Sequence, residues 1–109
     1  YDGSLTIVPA MSGPDGDAEF AIIADGDTIS WQVRVTNSTA GELWGVFAWV
    51  EGFGKAYCDS HHLAAGESTD CWATGTAYAG VYEVVAWANA WTEERQVKDK
   101  VLVELAVAS

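Results

Sequence analysis

Thr28-Ile29-Ser30-Trp31-Gln32-Val33-Arg34-Val35-Thr36 is the stretch that decides the fold. Ile29, Trp31, Val33 and Val35 alternate with Ser30, Gln32, Arg34 and Thr36. A period of two with β-branched and aromatic residues on one side is the pattern of a half-buried strand. Working outward, Asn37 to Gly41 is polar and turns the chain, and Leu43 to Glu51 is a second long strand left through Glu51-Gly52-Phe53-Gly54. Ala56 to Cys58 is a short strand, followed by a loop from Asp59 to Ser68. Thr69 to Thr76 and Gly80 to Trp91 are strands, Thr92 to Lys98 is a charged turn, and Lys100 to Ala108 is the last strand. Toward the N-terminus, Ala24-Asp25-Gly26-Asp27 is a turn. Phe20, Ile22 and Ile23 form a short strand, Pro9 to Asp17 a loop, and Leu5 to Val8 an edge strand. No segment has useful helical periodicity. Seven or eight short strands in about a hundred residues predict an all-β sandwich of two packed antiparallel sheets.

The whole chain is consistent with that picture. Its 109 residues suit a single domain spanning 1–109, and 50% apolar composition supplies a core. Sixteen acidic side chains against five basic ones leave a formal charge of −11. Nucleic-acid binding needs a basic footprint, so no nucleic-acid partner is expected. An anionic membrane surface would repel the chain. The longest charge-free apolar run, Leu43 to Val50, is far short of a span, so no membrane insertion is expected. The sequence opens Tyr1-Asp2-Gly3 without an initiator Met or signal peptide and reads as a mature or excised fragment.

Cys58 and Cys71 are separated by twelve residues rich in Asp, Ser, His and Gly. They read either as a disulfide or as two free core thiols of a cytosolic protein. Turn-like sequence beside both favours the disulfide, which would contribute roughly 3 kcal/mol and would imply an oxidising compartment.

Several local motifs then line up. Gly26-Asp27-Thr28-Ile29-Ser30-Trp31 leads into Val33-Arg34-Val35-Thr36-Asn37. Cys58 is followed by Leu63-Ala64-Ala65-Gly66-Glu67-Ser68-Thr69-Asp70-Cys71, then by Ala73-Thr74-Gly75-Thr76-Ala77, and Gly80-Val81-Tyr82 leads into Ala86. This order resembles the immunoglobulin-like repeats of large bacterial and archaeal surface proteins, many of them domains of unknown function. The resemblance covers roughly residues 24 to 92. It implies an immunoglobulin-like sandwich serving as an extracellular stalk, adhesin, filament or accessory domain without catalysis. The chain departs from the pattern at Ala65, where the family has Pro, and at Val84, where it has Asn. It also ends its third strand in the acidic Glu51 and carries Trp and Phe where relatives carry Thr and Val. The aromatic departures argue for a role more specific than that of a spacer.

Six tryptophans make their orientation the functional question. On the Gly80 to Trp91 strand, Tyr82, Val84, Ala86, Ala88 and Ala90 share one face, and Val81, Glu83, Val85, Trp87, Asn89 and Trp91 the other. A charge is rarely buried without a partner, so the second face is expected outside. On the Leu43 to Glu51 strand, Trp44, Val46, Ala48 and Val50 are expected inside, and Gly45, Phe47, Trp49 and Glu51 outside. In an immunoglobulin-like sheet these two strands are neighbours. Phe47, Trp49, Trp87 and Trp91 would then form one exposed aromatic binding face, with Val85 beside it. In the opposite arrangement the tryptophans fill the core and the alanines face out. Trp31 is read as core, and Trp72 points outward if Cys71 points inward.

Other constellations are weaker. Cys58-Asp59-Ser60-His61-His62 has the wrong spacing for zinc and reads as a solvated loop, whose histidines could lend weak pH sensitivity or a surface metal contact. Asp15, Asp17, Glu19, Asp25 and Asp27 are weak calcium candidates near two turns. Asn37-Ser38-Thr39 is an N-glycosylation acceptor sequence, but the turn there explains it without a glycan. No Ser–His–Asp set, phosphate loop or carboxylate pair is visible, so no catalytic residue, cofactor or enzyme activity is expected. The expected function is that of a structural or adhesive module at the cell surface. It would associate with itself or with neighbouring domains through the aromatic face and the edge strands Leu5–Val8 and Val101–Val107. The rival is a carbohydrate-binding module that takes polysaccharide on Trp49, Trp87 and Trp91.

Overall fold

The structure, a computed structural model, describes residues 3–13, 16–17 and 23–109. These residues form nine strands and no helix: β1 (Leu5–Gly13), β2 (Gly16–Asp17), β3 (Thr28–Asn37), β4 (Leu43–Val50), β5 (Gly54–Cys58), β6 (His62–Leu63), β7 (Ser68–Thr76), β8 (Gly80–Trp91) and β9 (Gln96–Val107). Their order is β2-β1-β3-β7-β5-β4-β8-β9, with β6 paired to β4, and every strand pairing is antiparallel.

Two separate sheets were the expectation, but β5 joins them. Its first half pairs with β4, through Ala56 opposite Ala48, and its second half with β7, through Tyr57 opposite Trp72 and Cys58 opposite Cys71. The result is one antiparallel sheet curled into a half-barrel. Cys58 and Cys71 are bonded, with S–S 2.02 Å, so the disulfide closes this joint.

The two ends of the curled sheet are drawn together. The Asp99 carboxylate on β9 accepts the backbone N–H of Leu5 at 3.0 Å and of Gly3 at 3.4 Å. Nearby, Ala24 forms a parallel bridge with Ala108, and Asp25 N donates to Ala108 O at 2.7 Å. The edges of β1 and β9 are thus partly occupied by one another's neighbourhood, which limits their use as free edges.

The core follows the alternation read from the sequence. Ile29, Trp31, Val33 and Val35 of β3 are fully buried, as are Val46, Ala48 and Val50 of β4 and Ala86, Ala88 and Ala90 of β8. Small residues on β8 complement large ones on β3, so the two inner faces share one close-packed layer. Trp31 meets Phe53 edge to face at 5.4 Å.

Several local expectations need correction. Trp44 is not in the core but 39% exposed. The register of β4 against β8 shifts between Trp44 and Phe47, and Gly45 there has φ +62°. This is a β-bulge built on a left-handed glycine, and its extra residue turns Trp44 to the outer face. Pro9 to Gly13 is strand rather than loop. Proline is tolerated because β1 has β3 on one side, while β2 meets it only at Ser12 and Gly13. Gln96, Val97 and Lys98 belong to β9, since the turn closes within Thr92–Arg95, where Thr92 N donates to Arg95 O at 2.8 Å. The loop after Cys58 holds the short β6. Ile23 is buried, whereas Phe20 and Ile22 lie outside the described residues.

Candidate functional site

Strand period and register build one surface on the outside of β5, β4, β8 and β9. Lys55 lies opposite Trp49, Trp49 opposite Trp87, and Trp87 opposite Lys100, so a single row crosses four strands with two indoles flanked by two ammonium groups. The next row sets Phe47 opposite Asn89 and Asn89 opposite Lys98. Trp91 follows on β8 and its ring lies against the bulge, where a Cβ on Gly45 would fall 3.0 Å from it.

The rings touch in sequence. Trp91 and Phe47 have centroids 6.2 Å apart, Phe47 and Trp49 5.4 Å, and Trp49 and Trp87 5.6 Å with planes only 6° from parallel. Lysines sit over them. Lys55 Nζ is 5.8 Å from the Phe47 ring, and Lys98 Nζ is 5.6 Å from Trp49 and 5.0 Å from Trp87. Lys100 Nζ is 5.1 Å from Trp87. Such contacts contribute about 0.5–1 kcal/mol each at exposed sites. The Trp87 indole N–H also donates to Glu51 Oε1 at 2.9 Å. Phe47, Trp49 and Trp87 are half-buried by this mutual cover, and Trp91 is 41% exposed.

Asn89 was expected to face solvent. It shares the outer face but is only 1% exposed, lying between Trp87 and Trp91 along β8 and opposite Phe47. Its Nδ2 has no hydrogen-bond acceptor among the described residues. An unpaired buried amide donor costs about 1–3 kcal/mol.

The aromatic surface is wider than the sequence suggested. Cys71 is buried, so Trp72 beside it points out, opposite the exposed Tyr57. Together with Phe53 and Lys55 these two line an open groove of about 500 Å³. At the other end of β4, Trp44 stacks on His62 with centroids 5.6 Å apart. Tyr57 and the lysines went unnoticed in the sequence, although Lys98 and Lys100 share strand parity and therefore one face.

Charge is distributed unevenly. The chain has five basic residues, and Lys55, Lys98 and Lys100 all stand over the rings. Arg34, on β3, is engaged by its cross-strand neighbour Asp70, with Nε to Oδ1 at 2.9 Å and Nη2 to Oδ2 at 3.3 Å. That hydrogen-bonded pairing holds the Asp70 carboxyl below the usual carboxylate range.

The remaining motifs have structural duties. Asp25 Oδ1 accepts Ala79 N and Asp27 Oδ2 accepts Ala24 N, both at 2.8 Å, so these two calcium candidates cap turns. Asp15, Glu19 and the side chain of Asp17 lie outside the described residues, among which no group of three or more metal-ligating side chains occurs. The His61 ring Nδ1 donates to Val46 O at 2.8 Å, fastening the bulge, and His62 Nε2 is 3.5 Å from Glu42. Asn37 is fully buried. Its Nδ2 donates to Gly41 O and Leu63 O, and its Oδ1 accepts from Thr39 N and Oγ1. The acceptor amide of the glycosylation sequence is therefore consumed in the folded chain.

No family model, curated protein or solved structure matches this chain.

Proposed function

We propose that this chain is an extracellular, immunoglobulin-like binding module without catalysis, and that the outer face of β4, β8 and β9 is its adhesive surface. The observation that carries the reading is the array of Trp91, Phe47, Trp49 and Trp87, roofed by Lys55, Lys98 and Lys100. Tryptophans grouped on one face are the composition of binding hot spots. The strand neighbours β1-β3-β7 and β4-β8-β9 support the immunoglobulin-like assignment, since that fold pairs its first, second and fifth strands and its third, sixth and seventh. The disulfide implies an oxidising compartment and supports an extracellular location. No helix among the described residues is long and apolar enough to cross a membrane.

Of the two forms of adhesion, recognition of a foreign ligand fits the charge better than assembly with copies of the same chain. Two copies at −11 each repel one another. The test compares the parent with Trp49→Ala/Trp87→Ala in sedimentation velocity and in retention on a panel of insoluble polysaccharides. The reading predicts that one of these interactions occurs and is lost in the variant. It fails if the parent shows neither, or if the variant keeps both.

A further inference from the structure

The most open pair of rings on the outer surface lies beside the face just described, on β5 and β7. We infer that the groove there takes a chain of neutral pyranose sugars on Tyr57 and Trp72. The site adds new residues to the proposed binding surface, and rests on that reading only in taking a foreign ligand rather than a second copy.

The rings of the two regions differ in what covers them. Phe47, Trp49 and Trp87 stack on one another beneath lysines and are half-buried. Tyr57 and Trp72 are 75% and 47% exposed. They stand opposite each other on neighbouring strands, about 5 Å apart at Cβ. A pyranose with equatorial hydroxyls turns its C–H groups to its two flat faces and its hydroxyls to its rim. Tyr and Trp match it, since each joins a large apolar ring to a polar edge.

The groove is held in shape. Cys58–Cys71 is the next cross-strand pair on the same two strands, so the disulfide fixes the register of the two rings. Phe53 on the groove wall is anchored on buried Trp31. It fills the space left by Gly75, where a Cβ would fall 2.5 Å from its ring. A site formed before binding loses less freedom when it is filled.

Polarity and size select the occupant. None of the described residues lining the groove is acidic, and its one cation, Lys55, leans toward the Phe47 ring. In the adjoining row Arg34 and Asp70 neutralise each other, and Gln32 bonds to the same Asp70. The polar groups edging the two rings are the Tyr57 and Thr74 hydroxyls and the Gln32 amide. All are neutral, and all both donate and accept, as sugar hydroxyls do. A polyanion would approach against a net charge of −11, and a polycation meets no carboxylate among the lining residues. A protein partner needs about 800 Å² on each side, whereas a groove of about 500 Å³ has the size of a small-ligand site.

The experiment is isothermal titration calorimetry of the oxidised protein, at low and high salt, with hydroxyethylcellulose, arabinoxylan, laminarin and polygalacturonate. At least one of the three neutral polymers should bind, equally at both salt concentrations. Trp72→Ala and Tyr57→Ala should each weaken that binding by about tenfold, equivalent to 1.4 kcal/mol. Trp72→Phe and Tyr57→Phe, which keep a ring, should retain most of it. Both side chains stand on the surface, so urea midpoints near the parent's should accompany the loss. Binding that survives both alanine changes overturns the groove, and the adhesive-face reading then stands if Trp49→Ala/Trp87→Ala abolishes it. Loss in Trp72→Ala with full binding by Trp49→Ala/Trp87→Ala supports the groove and counts against that face. Binding of polygalacturonate alone, or binding that weakens as salt rises, overturns the neutral ligand. No binding of any polymer overturns the inference, and self-association in sedimentation then decides whether the adhesive reading stands.

Discussion

Trp49 on β4 and Trp87 on β8 face each other across the strand pair, with centroids 5.6 Å apart and planes 6° from parallel. Offset-stacked aromatic pairs contribute about 0.5–1.5 kcal/mol beyond the area they bury. A double-mutant cycle of Trp49→Ala and Trp87→Ala should therefore show a coupling of that size in urea unfolding. Trp87→Phe should keep part of the stacking while losing the hydrogen bond to Glu51. A coupling near zero would mean that the rings are neighbours without mutual support.

Gly45→Ala should destabilise the chain by about 1–2 kcal/mol, since an L-residue at positive φ is strained. Its Cβ would also fall 3.0 Å from the Trp91 ring at φ +62°. The indole should shift, so tryptophan emission should change along with the unfolding midpoint. An unchanged midpoint would remove the bulge as a determinant of the aromatic face.

Asn37→Ala should cost about 2–4 kcal/mol, because several backbone and hydroxyl groups lose a buried partner at once. Chain folded before exposure to the glycosylation machinery should stay unmodified at Asn37, which intact mass would reveal.

Reduction of Cys58–Cys71 should add two hydrogen atoms to the intact mass and lower stability by roughly 3 kcal/mol for a loop of this size. Comparing urea midpoints with and without reductant measures it. A midpoint that does not move would show that the strand pairing of β5 with β7 holds the joint unaided.

Acid should weaken the outer face of β3 and β7. Asp70 is held below its ordinary value, chiefly by its hydrogen bond from Arg34. A carboxyl depressed in the folded chain adds stability that is present above its unfolded value of about 4 and is lost as pH falls through the lower folded value. Asp70→Asn should flatten the fall of the urea midpoint below about pH 4. An unaltered slope would assign the acid sensitivity to other carboxylates.

Strand parity was legible because a period of two is a local property of the chain. Ile29, Trp31, Val33 and Val35 of β3 and Val84, Ala86, Ala88 and Ala90 of β8 are buried as alternation alone reads them, and Glu83 on the opposite face of β8 is exposed. The misreadings occur where a partner strand intervened. Trp44 changed faces because Val46 N and O both bond to His61, fixing one extra residue in β4. Asn89 is buried on an outer face because Phe47 and Trp91 stand beside it.

The sequence by itself determined which residues alternate, hence an all-β chain whose alanines and tryptophans lie on opposite faces of β8. Only the tertiary structure decided which ring meets which ring, and that the lysines stand over them. Alternation chooses a face within a strand, but register between strands arises from hydrogen bonds and bulges distributed over the whole sheet. The binding face proposed for this chain is a product of that register, written across β5, β4, β8 and β9 together.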